Sequence, residues 1–268
     1  MRAKRLTDIY ELVTAHGTVT VDELVAKLGI SPATARRDLD QLDSQGLLRR
    51  TRGGASAHSI AVDATLRSRN TTHADAKRAI ARKCTEFLRP GYVVGLTGGS
   101  TVAQVAQALV DWVLSQSEGE VPNNGPMLTV VTNAVDIAGA LASRANTKAN
   151  IKIVVIGGVL NHHSNELTGP FSLDVLGQVS LDLAFIGVNG FDDNGPGTVD
   201  EYEAQTNRAM ATRAQLPVVV ADSSKFGKRS FSSVGDLEVI HTIVTDRGIS
   251  AEQAHHLSSR GYTLHYAD

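Results

Sequence analysis

The chain has 268 residues, a formal net charge of −2 at pH 7 and one cysteine. Its length allows one large domain or two of ordinary size, and its 42% hydrophobic and 20% charged residues are typical of a globular protein with a substantial core. The single cysteine excludes an internal disulfide framework and a cysteine-based zinc site, while the near-neutral charge means that any affinity for nucleic acid must come from a local basic patch.

The chain starts with the sequence MRAKRLTDIY, which lacks the apolar core of a signal peptide, and no apolar run is long enough to span a membrane, so we expect a cytoplasmic protein. Apolar residues recur at helical spacing over residues 4–15 and predict a first helix. Thr20, with Glu23 three residues later, forms a capping box for a second helix, and Gly29 ends that helix.

A third helix is predicted over residues 31–45. Ser31 is its expected cap, and Pro32 follows at the first helical position, where proline is favoured. Its apolar face carries Ala35, Leu39 and Leu42. Two helices joined by a short turn that contains glycine form the DNA-binding helix-turn-helix unit.

A β-hairpin follows the third helix, in the sequence LLRRTRGGA. Leu47 and Leu48 begin a strand, and Gly53-Gly54 supplies the turn. Three arginines make this segment basic: Arg49, Arg50 and Arg52. Residues 1–57 therefore predict a winged helix-turn-helix domain.

The predicted mode of DNA binding places the start of the third helix in the major groove. The side chains expected to reach base edges or adjacent phosphates are Ser31, Thr34, Arg36 and Arg37. The wing arginines Arg49, Arg50 and Arg52 are expected to contact phosphates, which position a domain without reading sequence. One small module makes few contacts, so useful affinity requires a second copy on a neighbouring half-site, and we expect a homo-oligomer, either a dimer or a tetramer.

Residues 58–74 mix polar and small residues without strong periodicity and are interpreted as a linker. From residue 75 to residue 268, helical patterns alternate with short apolar runs that are rich in valine and isoleucine. Continuous apolar runs of this kind are typical of strands buried on both faces of a parallel sheet. The sequence predicts a doubly wound, mostly parallel α/β domain.

The first of these strands runs into a glycine turn and a helix, in VVGLTGGSTVAQVA at residues 93–106. Such a turn points backbone N–H groups outward at the positive end of a helix dipole, which suits a phosphate. Gly98 and Gly99 form the bend, and Ser100 and Thr101 are expected to cap the helix. The pattern fits neither the dinucleotide fingerprint nor the P-loop.

Further glycine and polar residues end the other predicted strands. Ligands of open parallel sheets lie beyond the carboxyl ends of the strands, so these residues are expected to meet at one edge. They are Asn133, Gly158, Asn189, Asp222 and Lys225. Amide donors, carboxamides, a carboxylate and an ammonium group together suit a small anion with several hydroxyl groups, such as a sugar phosphate.

Three stretches carry a family resemblance that covers almost the whole chain. SPATARRDLDQLDSQGLLRRTRGGA resembles the DNA-binding signature of the DeoR family of bacterial sugar-catabolism regulators, and DLAFIGVNGFDDNG and VVVADSSKFGKRSF resemble parts of its sensor domain. The resemblance implies a transcription factor, usually a repressor, with a winged helix and a sensor similar in fold to ribose-5-phosphate isomerase. It implies that Gly98–Thr101 binds the phosphate of a sugar and that the strand-end residues line the sugar. No cofactor or metal is expected.

Two alternatives remain open at this stage. One is a sugar-phosphate isomerase fused to a DNA-binding domain. The segment DDNGPGTVDEYEAQTNRAM lacks the lysine and the glycine run that the isomerase family uses, and its Glu201 and Glu203 are interpreted as solvated helix residues, so we expect no enzyme activity. The other is a metabolite-binding protein that uses the winged helix to bind protein partners, which the basic wing disfavours.

Overall fold

The computed structural model describes residues 2–44, 48–57, 73–116, 125–144 and 150–268. The chain divides into two compact units, Met1–Val62 and Asp63–Asp268. Most of the predicted linker, residues 58–72, lies outside the described residues, and the predicted boundaries at 57 and 75 stay predictions. No helix in the described ranges is long and apolar enough to cross a membrane.

The first unit contains the three predicted helices, α1 (Arg2–His16), α2 (Val21–Leu28) and α3 (Pro32–Ser44). The capping box of α2 is confirmed, because the N–H of Thr20 donates to the Glu23 carboxylate at 2.7 Å and the N–H of Glu23 donates to Thr20 Oγ1 at 3.2 Å. Gly29 ends α2 in the left-handed conformation, with φ 63°. Residues of all three helices share one buried core, which includes Ile9, Leu24 and Leu39.

The wing is confirmed as an antiparallel hairpin of β2 (Leu48–Thr51) and β3 (Gly54–Ala57). Leu47, expected in the first wing strand, lies outside the described residues. A further strand, β1 (Thr18–Thr20), pairs with β3 and was not predicted, because three residues carry too little periodicity. A Cβ at Gly54 would lie 2.1 Å from the carbonyl oxygen of Val19, so this close strand pairing requires glycine.

The second unit is built on a seven-stranded sheet in which every pairing is parallel. Its strands, in chain order, are β4 (Val93–Leu96), β5 (Leu128–Thr132), β6 (Ile151–Val155), β9 (Leu181–Gly187), β12 (Ala214–Val220), β14 (Thr242–Asp246) and β15 (Thr263–Ala267). Their order across the sheet is β15-β14-β12-β9-β4-β5-β6. The first six were predicted, and the edge strand β15 was not.

Helices of the second unit pack on the sheet from two sides. They are α4 (Ala74–Cys84), α5 (Ser100–Ser115), α6 (Val135–Arg144), α7 (Pro170–Leu176), α8 (Glu201–Thr212) and α9 (Ala251–Ser259). Successive strand residues enter opposite cores, so that Phe185 packs with α4, α5 and α6 while Ile186 packs with α8 and α9. The doubly wound α/β class is therefore confirmed.

Two small antiparallel sheets complete the second unit. One is the hairpin of β7 (Val159–Asn161) and β8 (Glu166–Thr168), and the other joins β10 (Gly190–Asp192), β11 (Gly195–Thr198) and β13 (Ser232–Ser233). Neither small sheet was predicted, and neither was α7. The β7–β8 hairpin matters for function because it brings Glu166 to the carboxyl ends of the parallel strands.

Candidate functional site

The predicted DNA-reading helix presents two exposed arginines near its start, Arg36 and Arg37. Ser31 caps this helix, since its Oγ accepts the N–H of Thr34 at 3.2 Å, and the two hydroxyl oxygens lie 2.9 Å apart. Ser31 and Thr34 are thus held together at the first turn, with the arginine side chains on the following turn. This arrangement is suited to reading base edges from a helix start.

The wing arginines have different surroundings. Arg52 is exposed at the hairpin turn, and the side chain of Arg49 lies outside the described residues. Arg50 is bound within the unit, because its Nε contacts the Asp40 carboxylate at 2.8 Å and its guanidinium donates to the Gly54 carbonyl at 2.6 Å. Arg50 therefore fixes the wing against α3, a role that the sequence did not reveal.

Asp38 has a structural role in the first unit. It is 1% exposed, and its carboxylate accepts a hydrogen bond from Nε of Arg5 at 2.5 Å. This ion pair joins α1 to α3.

A cavity of about 810 Å³ opens at the carboxyl ends of the central strands of the sheet. It brings together most of the residues that were predicted to bind an effector: Gly98, Gly99, Ser100, Thr101, Asn189, Asp222 and Lys225. Polar groups from separate strands converge here because parallel strands all end at the same edge of the sheet.

The glycine turn at this cavity differs from the prediction in one respect. Gly99, with φ 101°, is the N-cap of α5, so the expectation that Ser100 and Thr101 cap the helix is wrong. A glycine has no side chain that could accept the first N–H groups of a helix. Ser100 and Thr101 are instead the first helical residues and line the cavity, which leaves the positive end of the helix beside it.

The other strand-end residues are fixed by local hydrogen bonds. Asn189 Oδ1 accepts the N–H of Val199 at 3.1 Å, which ties the end of β9 to the loop before α8. The carboxylate of Asp222 is 1% exposed and accepts the N–H of Ser224 at 3.1 Å, within the 3₁₀ turn that carries Lys225. Both interactions hold cavity residues in place.

Two predicted residues do not line the cavity. Gly158 packs against α7. A Cβ added to Gly158 would lie 2.2 Å from Ser172 Oγ, so a residue with a side chain does not fit there. Asn133 lies behind the lining, where its Nδ2 donates to Glu166 Oε2 at 3.0 Å and to the Leu167 carbonyl at 3.2 Å. Asn133 therefore supports a cavity residue.

The cavity also contains two buried titratable residues that the sequence did not single out. Lys77 of α4 is 5% exposed; burial lowers its pKa, an effect that Asp222 opposes. Glu166 of β8 is also 5% exposed, and burial together with the nearby Glu203 raises its pKa to about 8. No local pattern identifies either residue, because tertiary packing alone places them.

Two residues of α8 complete the polar lining. The interpretation of Glu203 as solvated is wrong: it is 6% exposed, lines the cavity and accepts a hydrogen bond from Asn161 Nδ2 at 3.0 Å. Asn207 donates through Nδ2 to the Gly187 carbonyl at 3.3 Å, and its Oδ1 is buried with no hydrogen-bond partner in the described part of the chain. Buried amide oxygens are nearly always satisfied, so this acceptor is available to a water molecule or to a bound group that carries a donor.

Comparisons with known proteins cover both units. A family model described as the DeoR C terminal sensor domain matches residues 72–247, and a DeoR-like helix-turn-helix domain model matches residues 5–61. The glycerol-3-phosphate regulon repressor of Escherichia coli (strain K12) is 31% identical over 91% of this chain and 91% of its own length. The HTH-type transcriptional regulator GlpR of Haloferax volcanii is 33% identical over 98% of this chain and 96% of its own. Both relatives are named as regulators of transcription and not as enzymes.

A solved structure matches part of the chain. Ribose 5-phosphate isomerase A from Neisseria gonorrhoeae matches 57% of this chain and 53% of its own, with a TM-score of 0.38 and 19% identity. At this distance, the family is indicated by the sequence matches to regulators, which extend over both units.

Proposed function

The chain belongs to the DeoR family of transcriptional regulators, and from this premise we propose that it represses carbohydrate-catabolism genes and that a phosphorylated sugar controls its operator binding. One observation carries the proposal: the start of α5, which has no side-chain cap, lines the same cavity as Lys77, Lys225 and Lys228. A helix start with nearby ammonium groups attracts a phosphate.

Other residues of the cavity support binding of a polyhydroxylated group. Asp200, Glu203 and the unpaired Oδ1 of Asn207 are acceptors, and hydroxyl groups are the donors that acceptors of this kind bind. The cavity volume of about 810 Å³ is ample for a phosphorylated sugar. We assign phosphate binding to Gly98, Gly99, Ser100, Thr101 and Lys225, and sugar binding to Asn189 and Asp222.

Operator binding is assigned to the start of α3 and to the wing. The exposed Arg36 and Arg37 would contact base edges or nearby phosphates, and Arg52 would contact the DNA backbone. Because Arg50 is bound to Asp40, we assign it to positioning of the wing. One such unit makes few contacts, so we propose that two units of a homo-oligomer occupy neighbouring half-sites, as can be tested by sedimentation of the full chain with and without DNA.

A ligand screen tests the effector assignment. Thermal unfolding of the full chain is followed with glycerol 3-phosphate and with pentose and hexose monophosphates, each beside its unphosphorylated counterpart. A ligand that binds only the folded state raises the melting temperature, by an amount that grows with its concentration. We expect at least one phosphorylated compound to do so and its unphosphorylated counterpart to have no effect; no response to any phosphate would refute the assignment.

A second measurement connects the ligand to DNA. Fluorescence anisotropy with DNA from upstream of the gene is recorded at one fixed salt concentration, because phosphate contacts make DNA affinity steeply salt-dependent. A ligand shifts an equilibrium only by its different affinity for the two states, so the active compound is expected to change the operator affinity. An effector that raises the melting temperature and leaves operator affinity unchanged would contradict the regulatory part of the proposal.

A further inference from the structure

Glu166 lies directly over the glycine turn of the cavity. A Cβ added to Gly98 would be 2.4 Å from both Cγ and Cδ of Glu166 and 2.5 Å from Oε1. Glu166 itself lines the cavity beside Gly99, Ser100 and Thr101. Its carboxyl group therefore stands next to the position that an anion at this turn would occupy.

The surrounding chain fixes this carboxyl group. Asn133 Nδ2 donates to Oε2 at 3.0 Å, and the N–H of Gly98 also donates to the carboxyl group. The backbone around Glu166 is paired as well, since the N–H of Leu167 donates to the Asn133 carbonyl at 2.7 Å and Glu166 forms a β-bridge with Ala134. The side chain of Glu166 cannot swing away from the turn without breaking the hydrogen bonds from Asn133 and Gly98.

The charged groups around Glu166 come from several elements. Burial raises its pKa most, Glu203 on α8 and Asp136 on α6 raise it further, and the hydrogen bonds from Asn133 and Gly98 lower it, which together give a pKa of about 8. The remaining titratable groups of the cavity are His73, Lys77, His163, Asp200, Asp222, Lys225 and Lys228. Near neutral pH, Glu166 is therefore a neutral acid with one O–H donor.

We propose that Glu166 is a specificity-determining residue of the effector cavity, whose protonated carboxyl group admits a phosphate at the Gly98–Thr101 turn and whose ionised form excludes it. The protonated acid donates its O–H to a phosphate oxygen, whereas a carboxylate offers only acceptors and adds a like charge. This inference rests on the proposed function, because it concerns the same anion site.

Anion binding and protonation of Glu166 are linked, and each favours the other. A dianion beside Glu166 raises the pKa of the carboxyl group further, so anion binding above pH 8 takes up a proton. With one linked proton that stays bound in the complex, affinity falls about fivefold between pH 8 and pH 9. At pH 8, about half a proton is taken up per anion bound.

The predicted fall in affinity between pH 8 and pH 9 is tested by calorimetric titration of the full chain with inorganic phosphate. Phosphate is largely a dianion at both pH values. The wild type is expected to show the fivefold loss, and Glu166→Gln is expected to lack it while retaining binding. Burial lowers the pKa of Lys77, so its deprotonation at high pH also weakens phosphate binding. This effect is common to the wild type and Glu166→Gln, and the difference between the two proteins reports on Glu166. An equal loss in both proteins would overturn the proposal.

Proton uptake provides a measurement that does not depend on the folding of the glutamine variant. The binding heat in two buffers of different ionisation enthalpy gives the number of protons taken up at pH 8, for the wild type and for Lys77→Met. We expect uptake to persist in Lys77→Met, with weaker binding, because its source is Glu166. Uptake that disappears in Lys77→Met would refute the inference, and phosphate binding without any uptake would refute it while leaving the proposed function intact. Absence of phosphate binding at either pH would count against both.

Discussion

Replacement of Gly98 by alanine would place a methyl group where the Glu166 carboxyl group now lies. The new Cβ would be 2.4 Å from Cδ of Glu166, a distance at which one of the two groups must move. Gly98 is not among the glycines with positive φ, so the backbone accepts alanine and the effect comes from this contact alone. Glu166 is the group that must move, into the cavity.

The cost can be worked out from the interactions that Glu166 would lose. Moving its side chain breaks the 3.0 Å hydrogen bond from Asn133 and leaves a buried donor unpaired, which costs about 1–3 kcal/mol. Overpacking adds a penalty of similar size where neighbours cannot relax. We expect the free energy of unfolding of the second unit to fall by about 2–6 kcal/mol, which for a unit of this size lowers the melting temperature by about 4–24 °C.

Urea unfolding followed by tryptophan fluorescence measures this change. Trp112 is the only tryptophan of the chain and packs against the core of the second unit, so it reports on that unit. Gly139→Ala is the matched control: Gly139 lies within α6 with no atom within 4 Å of an added Cβ, and alanine there should stabilise by about 0.5–1 kcal/mol. If Gly98→Ala unfolds at the wild-type urea concentration while Gly139→Ala shifts as expected, the contact between Gly98 and Glu166 is refuted.

Further variants separate the roles of the two units. Arg37→Ala should weaken operator binding by about tenfold to a hundredfold and leave the ligand-induced thermal shift unchanged, as anisotropy and thermal unfolding can show. Lys225→Ala should abolish that thermal shift and leave operator affinity intact; if both variants lose both properties, the separate assignments are wrong. Thr20→Ala removes the capping box of α2 and should destabilise the first unit by about 1 kcal/mol in urea unfolding followed by circular dichroism, whereas Thr20→Ser should not. The Glu166 pKa is raised from 4.5 to about 8, so its contribution to stability is complete below pH 4.5 and is lost as the pH rises toward 8. Glu166→Gln should flatten that pH profile of the urea midpoint of Trp112 fluorescence, and an unchanged profile would contradict the assigned pKa.

Local sequence signals predicted much of the fold. The pair Thr20 and Glu23 identifies the start of α2, because a capping box needs only residues three apart. Continuous runs of valine and isoleucine identify six of the seven parallel strands, since both faces of such strands are buried. The edge strand β15, TLHYA, was missed because its residues are mostly half-buried and mix polar with apolar types.

The site was predictable only where topology alone defines it. The glycine turn and the strand ends Asn189 and Asp222 were found, since parallel strands all end at one edge. Glu166 and Asn207 come from a short hairpin and a helix face, and their approach to the cavity depends on tertiary packing. Glu203 was misassigned because an acidic residue in the first turn of a helix is also typical of a solvated surface.

The parallel order of the large sheet has a consequence for biosynthesis. Strand β4 lies between β5 and β9 in the sheet, and β9 comes much later in the chain. The edge strand β15 comes later still. Contacts of the first unit are instead formed among neighbouring segments, and units with local contacts fold faster than those with distant pairings. During translation the helix-turn-helix module therefore emerges and folds before the second unit can assemble.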